Sequence, residues 1–515
     1  MKKKKHFWPA VLITLFAFLI RLYRLGQVPI SLHWDEAAWG YNAYSILKTG
    51  RDVYGQILPF ILKSFGDYKP AFYVYLVAIS EAIFGLNEFA VRLPSALFGS
   101  LAVFLLFLVI KELFATFKGG ETVALIASFI LATSPWHYHF SRGGWEVSVL
   151  AAFCLLGIWL FLKAKGKNKG FFLLSAFSFG LCFYIYQGAK MLVPLIVLGL
   201  LVFFWKKIAR TSKKTIIFSA ILLGIMALPI FFSVFGGAEG RWPTLHRYLN
   251  HFSSRFLFFE GDWSHPRHSV PNTGVLNHLA ILFLPLGAFF LINKELKNQF
   301  FLWYLMVVAP IPAVFSRDII QAQRSFFLVF PLSVITAFGV YFTFQFVKKR
   351  SFVFKWAVIF ILSFSWLFSF VLFLDQFFVH APIAYSIDWL YGYKEAVEFV
   401  KDKANDYDQV IFTQKHSQSY IYYLFYTAYE PKNYQAQARL IEHSEGDVGR
   451  VEKIDNIEFR NLYWPTDRFK KGKLFVGATY EIPLQDIDSS KVRILKEIYF
   501  LNGELAFRIV ETFKK

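Results

Sequence analysis

The feature that most constrains this chain is a series of long apolar runs separated by short clusters of lysine and arginine. The runs at 96–110, 216–235, 280–292 and 326–347 contain no charged residue. In hydrocarbon every backbone N–H and C=O group needs a partner within the chain, so such runs are expected to be helices. Charged residues make up 17% of the 515 residues, below the roughly 25% of soluble domains. The pattern predicts a polytopic α-helical membrane protein.

The distribution of charge excludes nucleic-acid binding. A net charge of +20 could suggest a polyanionic partner, but the basic residues lie in short clusters between the apolar runs. That distribution is the positive-inside signal of a membrane protein. The first cluster, at 2–5, precedes an apolar stretch with no small-residue cleavage site, so we expect an uncleaved first helix.

The basic clusters also predict the topology. Eleven segments are predicted to span the membrane, at roughly 7–25, 92–111, 121–137, 145–162, 170–187, 190–205, 215–235, 275–292, 299–315, 326–347 and 352–374. A further stretch, 70–85, is short for a span and carries Glu81. If it lies at the outer interface, the later basic clusters face the cytoplasm. This predicts an integral plasma-membrane protein with external loops at 26–91, 134–144 and 236–274.

Residues 375–515 are predicted to form a soluble, extracytoplasmic α/β domain that follows a transmembrane domain at 1–374. Helical periodicity runs over 393–403. Strand-like runs follow at 409–413, 473–477 and 493–501.

The first external loop offers a candidate general base. His33, Trp34, Asp35 and Glu36 follow the first span. An Asp there could cap a helix or act as a general base held near the membrane, and the residues alone leave both interpretations open. Trp34 and Trp39 flank this carboxylate, and their rings could stack on a sugar or line a lipid groove.

A lysine lies further along the same loop, in the segment Tyr68-Lys69-Pro70 at the start of the interfacial stretch. Its ammonium could snorkel to the headgroups. It could equally bind a lipid phosphate at headgroup depth.

More charged residues are predicted on the same face. Arg142 and Glu146, four residues apart, could pair with one another or present opposite charges to the cleft that contains Asp35. Further positive charge follows at Arg267, His268, Arg317 and Arg324.

Motifs of several other enzyme classes are missing. The sequence has no G-x-G-x-x-G, P-loop, G-x-S-x-G, H-E-x-x-H or paired C-x-x-C pattern, so nucleotide-dependent and zinc-hydrolase chemistry lose their main support. The two D-x-D triplets, at 406–408 and 486–488, lie in the C-terminal domain. The sequence therefore establishes no cofactor, and it leaves a divalent metal open without indicating one.

Three motifs in order carry a family resemblance. They are Asp35-Glu36, the segment Asp-Tyr-Lys-Pro-Ala-Phe-Tyr at 67–73, and Phe-Ala-Val-Arg-Leu-Pro-Ser-Ala-Leu at 89–97. Together they resemble the membrane glycosyltransferases that use polyprenyl-phosphate sugars. These are the protein O-mannosyltransferase and aminoarabinose transferase-like families, which share the GT-C fold. The resemblance covers roughly 5–350.

The resemblance implies an inverting transfer of a sugar from a polyprenyl-phosphate donor to a lipid, glycan or protein acceptor. It implies catalytic roles for Asp35, Glu36 and Glu146, with Asp35 as the general base. The residues implied to bind the donor phosphate are Lys69, Arg142, Arg267, His268, Arg317 and Arg324. Those implied to line the sugar or lipid are Trp34, Trp39 and Tyr68.

Two other classes stay open at this point. One is a multi-pass lipid or glycan transporter, although transporters tend to show internal repeats and ionisable residues near the midplane, which this sequence does not. The other is a catalytically inactive binding protein anchored in the membrane.

Two departures from the family pattern leave the acceptor pocket undefined. Glu146 stands where several relatives have Asp, and the lysine motif has one proline, not two.

Overall fold

The chain is mostly helical. The computed structural model describes residues 6–164, 170–233, 244–316, 318–416, 418–437, 439–441 and 449–514. Its α-helices in chain order are α1 (Phe7–Leu22), α2 (Trp34–Thr49), α3 (Phe72–Phe84), α4 (Glu88–Leu113), α5 (Gly120–Ala132), α6 (Pro135–Phe140), α7 (Glu146–Lys163), α8 (Gly170–Cys182), α9 (Ala189–Phe203), α10 (Trp205–Ala209), α11 (Lys213–Ser233), α12 (Leu245–Asn250), α13 (Ala280–Lys294), α14 (Gln299–Val308), α15 (Ile311–Val314), α16 (Val329–Val347), α17 (Phe352–Asp375), α18 (Ala381–Ala384), α19 (Tyr393–Lys403), α20 (Ser419–Tyr426), α21 (Pro431–Gln437) and α22 (Trp464–Asp467).

The described residues also contain ten short strands. They are β1 (Ile61–Ser64), β2 (Asp67–Pro70), β3 (Val410–Phe412), β4 (Leu440–Ile441), β5 (Arg450–Val451), β6 (Lys453–Ile454), β7 (Ile457–Phe459), β8 (Leu474–Ala478), β9 (Val492–Tyr499) and β10 (Leu505–Thr512). β1 and β2 form an antiparallel hairpin. A six-stranded sheet has the order β6-β7-β3-β8-β10-β9.

Apolar helices lie where the spans are predicted. Within the described residues, four helical stretches are long and apolar enough to cross a membrane: Glu88–Leu113, Glu146–Lys163, Phe326–Val347 and Phe352–Ala384. Shorter apolar helices occupy other predicted spans, as α1 and α5 do. The chain is thus an integral membrane protein by composition and length of its helices, while the number of eleven spans stays a prediction. The basic cluster at 2–5 and much of the one near 167 lie outside the described residues.

Small residues explain how two of the apolar helices pack. α13 and α16 lie against one another. A Cβ atom built on Gly287 would lie 1.8 Å from the Ile335 carbonyl oxygen, and one built on Gly339 would lie 1.9 Å from that of Phe283. In hydrocarbon, close helix approach through glycine replaces the hydrophobic driving force available in water. Alanine at either position would force these helices apart.

The chain divides into two compact units, and the predicted domain boundary near 375 stays a prediction. One unit comprises 1–23 and 95–378, and the other comprises 24–94 and 379–515. The first external loop therefore belongs with the C-terminal region. Its helix α2 packs on α3, α20 and α21, and the Tyr422 hydroxyl donates a hydrogen bond to the Leu32 carbonyl, 3.0 Å away.

The C-terminal region contains the predicted α/β arrangement. β3 runs parallel to both β7 and β8, while β10 pairs antiparallel with β8 and β9. Helix α19 has the predicted bounds, and the predicted strand-like runs coincide with β3, β8 and β9. One side of the sheet is filled by a buried apolar cluster of Ile411, Leu462, Trp464, Phe475, Ile482, Val492 and Val510.

Candidate active site

Asp35 lies in the first turn of α2, whose start is capped by other residues. The His33 ring accepts a hydrogen bond from the Asp35 N–H at 3.4 Å, and Glu36 Oε2 accepts one from the His33 N–H at 3.0 Å. This reciprocal arrangement is a capping box. His33 and Glu36 therefore cap the helix, and the carboxylate of Asp35 takes no part in the cap.

Lys69 reaches Asp35 from the β1–β2 hairpin. The two turn residues, Phe65 and Gly66, both have positive φ, as a tight hairpin turn requires. Lys69 therefore sits on strand β2, not at the start of a helix as expected, and α3 begins at Phe72. Its Nζ donates a hydrogen bond to Asp35 Oδ1 at 2.6 Å.

The Asp35–Lys69 pair is largely shielded from water. The Asp35 side chain is 27% exposed and that of Lys69 is 13% exposed. The Lys69 ammonium lies over the rings of Trp39 and Phe65, 5.7 and 5.5 Å from their centroids. A cation on aromatic faces is stabilised without a water shell, so the hairpin holds the ammonium in place beside the carboxylate.

Electrostatics keep Asp35 ionised. Burial alone would raise the pKa of its carboxyl group. The charge of the Lys69 ammonium opposes burial and holds the pKa of Asp35 well below its ordinary value. Asp35 is therefore a carboxylate at every physiological pH, but one whose basicity is suppressed while Lys69 stays beside it.

Glu36 is held in a buried ion pair. Arg92 Nε donates to its Oε1 at 2.8 Å, and Nη2 donates to its Oε2 at 3.2 Å. The other Arg92 donors reach the carbonyls of Leu25, Pro29 and Ser31. Both side chains are almost fully buried, at 3% and 0% exposure. Its oxygens are taken up in fixing the start of α2, which favours a structural role. The catalytic role of Glu36 stays a prediction.

The aromatic residues predicted to line a sugar or lipid differ in exposure. Trp39 is 1% exposed and packs edge-on against Tyr73, so it offers no face for a sugar to stack on. Trp34 is half-buried, and its ring centroid lies 3.7 Å from the ring centroid of His33. Tyr68 is 55% exposed. Trp34 and Tyr68 remain candidates for a lining role.

Arg142 is placed in the interior of the other unit. It is fully buried, and its Nη1 donates to the carbonyls of Ile20 and Arg21 at 3.2 and 2.9 Å. Its guanidinium also lies 4.9 Å from the Phe378 ring centroid. Since the last carbonyls of a helix lack partners within it, Arg142 caps the C-terminal end of α1. This favours a structural role over the predicted phosphate contact.

Glu146 and Arg324 share a neighbour. Glu146 is the first residue of α7 and is buried. Arg324 hydrogen-bonds the Tyr186 hydroxyl, and the charge of Glu146 acts on the same hydroxyl. Arg324 and Tyr186 line a small pocket with Leu150 and Phe327. These two predicted site residues are thus brought close to one pocket, where they stay candidates.

Arg267 and His268 form part of a short 3₁₀ turn, Pro266–His268. The Arg267 carbonyl is 2.7 Å from His139 Nε2. The Nδ1 atom of His268 is engaged by Asp262 Oδ2 at 3.2 Å. Arg317, the remaining predicted phosphate ligand, lies outside the described residues.

Three residues of these sites were missed by sequence reasoning. His33 and Arg92 complete the environment of Asp35 and Glu36, and the spacing His33-x-x-Glu36 is a capping-box signal that could have been read. Asp262 carries a buried charge in the loop of His268. The pattern Asp262-x-x-His265-x-x-His268 was the available signal for this second cluster.

The fold and this site define a class: helical integral membrane proteins with an ionised carboxylate and a lysine in the first loop. Comparisons with known proteins support the membrane-protein part of this description. Residues 68–233 match the family described as dolichyl-phosphate-mannose-protein mannosyltransferase. The chain is 35% identical over 162 residues to YkcB of Bacillus subtilis (strain 168), which is provisionally named a mannosyltransferase. That match covers 31% of this chain and 21% of YkcB.

Two further comparisons extend over more of the chain. The undecaprenyl phosphate-alpha-4-amino-4-deoxy-L-arabinose arabinosyl transferase 2 of Pseudomonas fluorescens (strain Pf0-1) is 24% identical over 260 residues, 49% of this chain and 45% of that protein. The crystal structure of ArnT from Cupriavidus metallidurans bound to undecaprenyl phosphate superposes with a TM-score of 0.58 at 11% identity, covering 98% of each chain.

The resemblance inferred from the sequence motifs is confirmed. This chain resembles the polyprenyl-phosphate-sugar-dependent membrane glycosyltransferases, and at 11% identity the ArnT structure shows a shared fold. The chain spans about a fifth of YkcB and less than half of the arabinosyl transferase.

Proposed function

We propose that this protein is an inverting glycosyltransferase that moves a sugar from a polyprenyl-phosphate donor to a lipid, glycan or protein acceptor on the outer face of the membrane. The observation that carries the proposal is the Asp35–Lys69 pair, a carboxylate 2.6 Å from a shielded ammonium. One member can accept a proton and the other can bind a phosphate. Those are the two functions that such a transfer requires.

The chemistry places Asp35 as general base. A hydroxyl of the acceptor attacks the anomeric carbon from the face opposite the phosphate, and Asp35 takes the hydroxyl proton. The bond from the anomeric carbon to the phosphate oxygen breaks, and polyprenyl phosphate leaves with the electron pair. Configuration at the anomeric carbon is inverted. Lys69 stabilises the negative charge that develops on the leaving phosphate.

The pairing of the two residues supports an ordered mechanism. Without donor, Lys69 holds the pKa of Asp35 low, which makes Asp35 a weak base. A donor phosphate competes for the Lys69 ammonium. When the ammonium turns to the phosphate, the burial that raises the pKa of Asp35 is less opposed, and a base is more effective as its pKa approaches the working pH. Donor binding would thereby activate the base.

The outer-face assignment rests on the distribution of charge. The lysine clusters between the later spans mark the cytoplasmic side. The predicted span 92–111 separates the loop that holds Asp35 from the first of these clusters, so the loop lies on the opposite side of the membrane. A polyprenyl-phosphate donor presents its phosphate at headgroup depth. A loop next to the end of α1 is well placed to meet it.

Replacement of Lys69 tests this function. We expect Lys69→Ala to lower kcat/KM for the lipid-linked donor by roughly 10²–10³-fold, the scale of losing one contact to developing negative charge. Lys69→Arg should rescue only partly, because a planar guanidinium suits a different phosphate geometry. In Lys69→Ala the acid limb of the pH profile of kcat/KM should also move to higher pH, since the residue that lowers the pKa of Asp35 is gone.

The matched control is Lys63→Ala, a partly exposed lysine on the other strand of the same hairpin. Its activity should stay within about threefold of the wild type, because no reacting group depends on it. The proposal fails if Lys69→Ala and Lys63→Ala behave alike, or if the acid limb of Lys69→Ala stays where it is in the wild type.

A further inference from the structure

A cluster of two histidines and one aspartate lies in the loop before α13, in the unit that does not contain the Asp35–Lys69 pair. Asp262, His265 and His268 each present one ligand atom, and these atoms lie within 4.8 Å of one another. The Asp262 side chain is fully buried, and those of His265 and His268 are 23% and 6% exposed. A buried charge of this kind normally has a paired or coordinated partner.

The distances between the ligand atoms fit a small cation. Asp262 Oδ1 is 3.4 Å from His265 Nδ1, and Asp262 Oδ2 is 3.2 Å from His268 Nδ1. Two ligands bound tetrahedrally at about 2.0–2.1 Å lie about 3.3–3.4 Å apart. Carboxylate and imidazole groups therefore already stand near the separations that a four-coordinate zinc ion imposes.

Neighbouring residues orient the ligands. His265 Nε2 faces Asp318 Oδ1 at 3.5 Å. Asp318 Oδ2 in turn accepts from Ser316 Oγ at 2.7 Å. A proton on Nε2 directed at a carboxylate leaves the lone pair on Nδ1, as in the carboxylate–histidine arrangements behind metal ligands. Asp262 Oδ2 is itself fixed by the Ala322 N–H at 2.7 Å.

Hydrogen bonds satisfy the Asp262 carboxylate, whose Oδ1 accepts from the N–H groups of Ser264 and His265 at 3.2 and 3.1 Å, but within the described residues they leave one ring nitrogen of the cluster without a partner. His265 Nδ1 is buried, and among the described residues it has no hydrogen-bond partner, although it faces a carboxylate oxygen. A lone pair that faces a carboxylate is repelled unless a proton or a metal ion lies between them. Either a proton or a metal ion must therefore lie between Asp262 Oδ1 and His265 Nδ1.

We propose that Asp262, His265 and His268 bind a divalent transition-metal ion, with Zn²⁺ the best fit to two imidazoles and one carboxylate. Mg²⁺ and Ca²⁺ prefer oxygen ligands only. Three protein ligands leave a fourth position open to water or an anion. By holding Asp262 and His265, which contact Ala322 and Asp318, the ion would fix the backbone of the loop that contains Arg267.

Metal analysis of the full-length protein tests the site. The protein is purified in detergent with a tag free of histidine, stripped with a chelator, reloaded with Zn²⁺ and desalted. We expect about one zinc per chain, bound tightly enough to survive desalting. X-ray absorption should show a shell of nitrogen and oxygen near 2.0 Å with imidazole scattering and no sulfur. Zn²⁺, unlike Mg²⁺, should raise the melting temperature.

Variants separate this site from adventitious binding. His265→Gln, at a partly exposed position, and His268→Gln should each lose most of the bound zinc and the Zn²⁺-dependent rise in melting temperature. His246→Gln changes an exposed histidine outside the cluster and should keep both. Sub-stoichiometric zinc in the wild type overturns the proposal. Zinc retained in His265→Gln also overturns the proposal, because His265 Nδ1 would then carry a proton and not a metal ion. Neither result touches the function proposed for Asp35.

Discussion

Asp35→Asn removes one negative charge and one proton-accepting oxygen while it preserves the shape of the side chain. The start of α2 should survive, because its cap is provided by His33 and Glu36. Lys69 also keeps an amide oxygen as acceptor. Losing a charge-assisted hydrogen bond costs roughly 1.5–3 kcal/mol, and the 27% exposure of Asp35 puts the expected loss of folding stability at the lower end.

The effect on catalysis should be larger than the effect on stability. A positioned general base contributes roughly 10²–10⁴-fold to rate, which corresponds to about 2.7–5.5 kcal/mol of transition-state stabilisation. Single-turnover release of polyprenyl phosphate from a lipid-linked sugar measures the chemical step, and thermal unfolding of the same sample measures stability. Asp67→Asn is the matched control, since it changes a carboxylate in the β1–β2 hairpin that carries Lys69. Near-normal turnover in a well-folded Asp35→Asn protein would refute the role of Asp35 as base.

Two further predictions concern topology and stability. A single cysteine at the exposed position Glu260 should react with a membrane-impermeant thiol reagent on intact cells, whereas one at Lys118 should react only after the membrane is opened; the reverse result would invert the topology. In the C-terminal region, burial raises the pKa of Asp467, but hydrogen bonds from Arg460 and Lys470 lower it to about 2. Its ion pairs thus stabilise the fold above the unfolded pKa of 3.8 and lose this effect as pH falls through about 2. Asp467→Asn should lower stability at pH 7 by about 1–2 kcal/mol and flatten the decline between pH 4 and 2, and an unchanged acid unfolding curve would contradict this.

The positions of the apolar helices could be predicted because they depend on local sequence. Apolar run length fixes where a helix can lie in hydrocarbon, and α19 was placed from its periodicity. Asp35 and Lys69 were singled out separately, yet no local pattern predicts that their side chains lie 2.6 Å apart. That contact depends on the hairpin turn at Phe65 and Gly66.

Long-range packing accounts for what the sequence could not predict. Arg142 has the same local pattern whether it meets a phosphate or caps α1, and only its contacts with Ile20 and Arg21 distinguish the two. The boundary near 375 was predicted from composition. The first loop joins the C-terminal region through contacts such as the Phe65 carbonyl with the Gly449 N–H, 2.7 Å apart, which connect residues far apart in sequence.

The central claim is that this protein transfers a sugar from a polyprenyl-phosphate donor. The most direct measurement offers the purified protein, reconstituted in lipid vesicles, a panel of polyprenyl-phosphate sugars with membrane acceptors, and follows released polyprenyl phosphate by mass spectrometry. We expect release with at least one donor, abolished in Asp35→Asn, and none when a soluble nucleotide sugar replaces the lipid donor. Movement of intact donor lipid across the vesicle membrane without release, or efficient transfer from a nucleotide sugar in the absence of any polyprenyl lipid, would contradict the account.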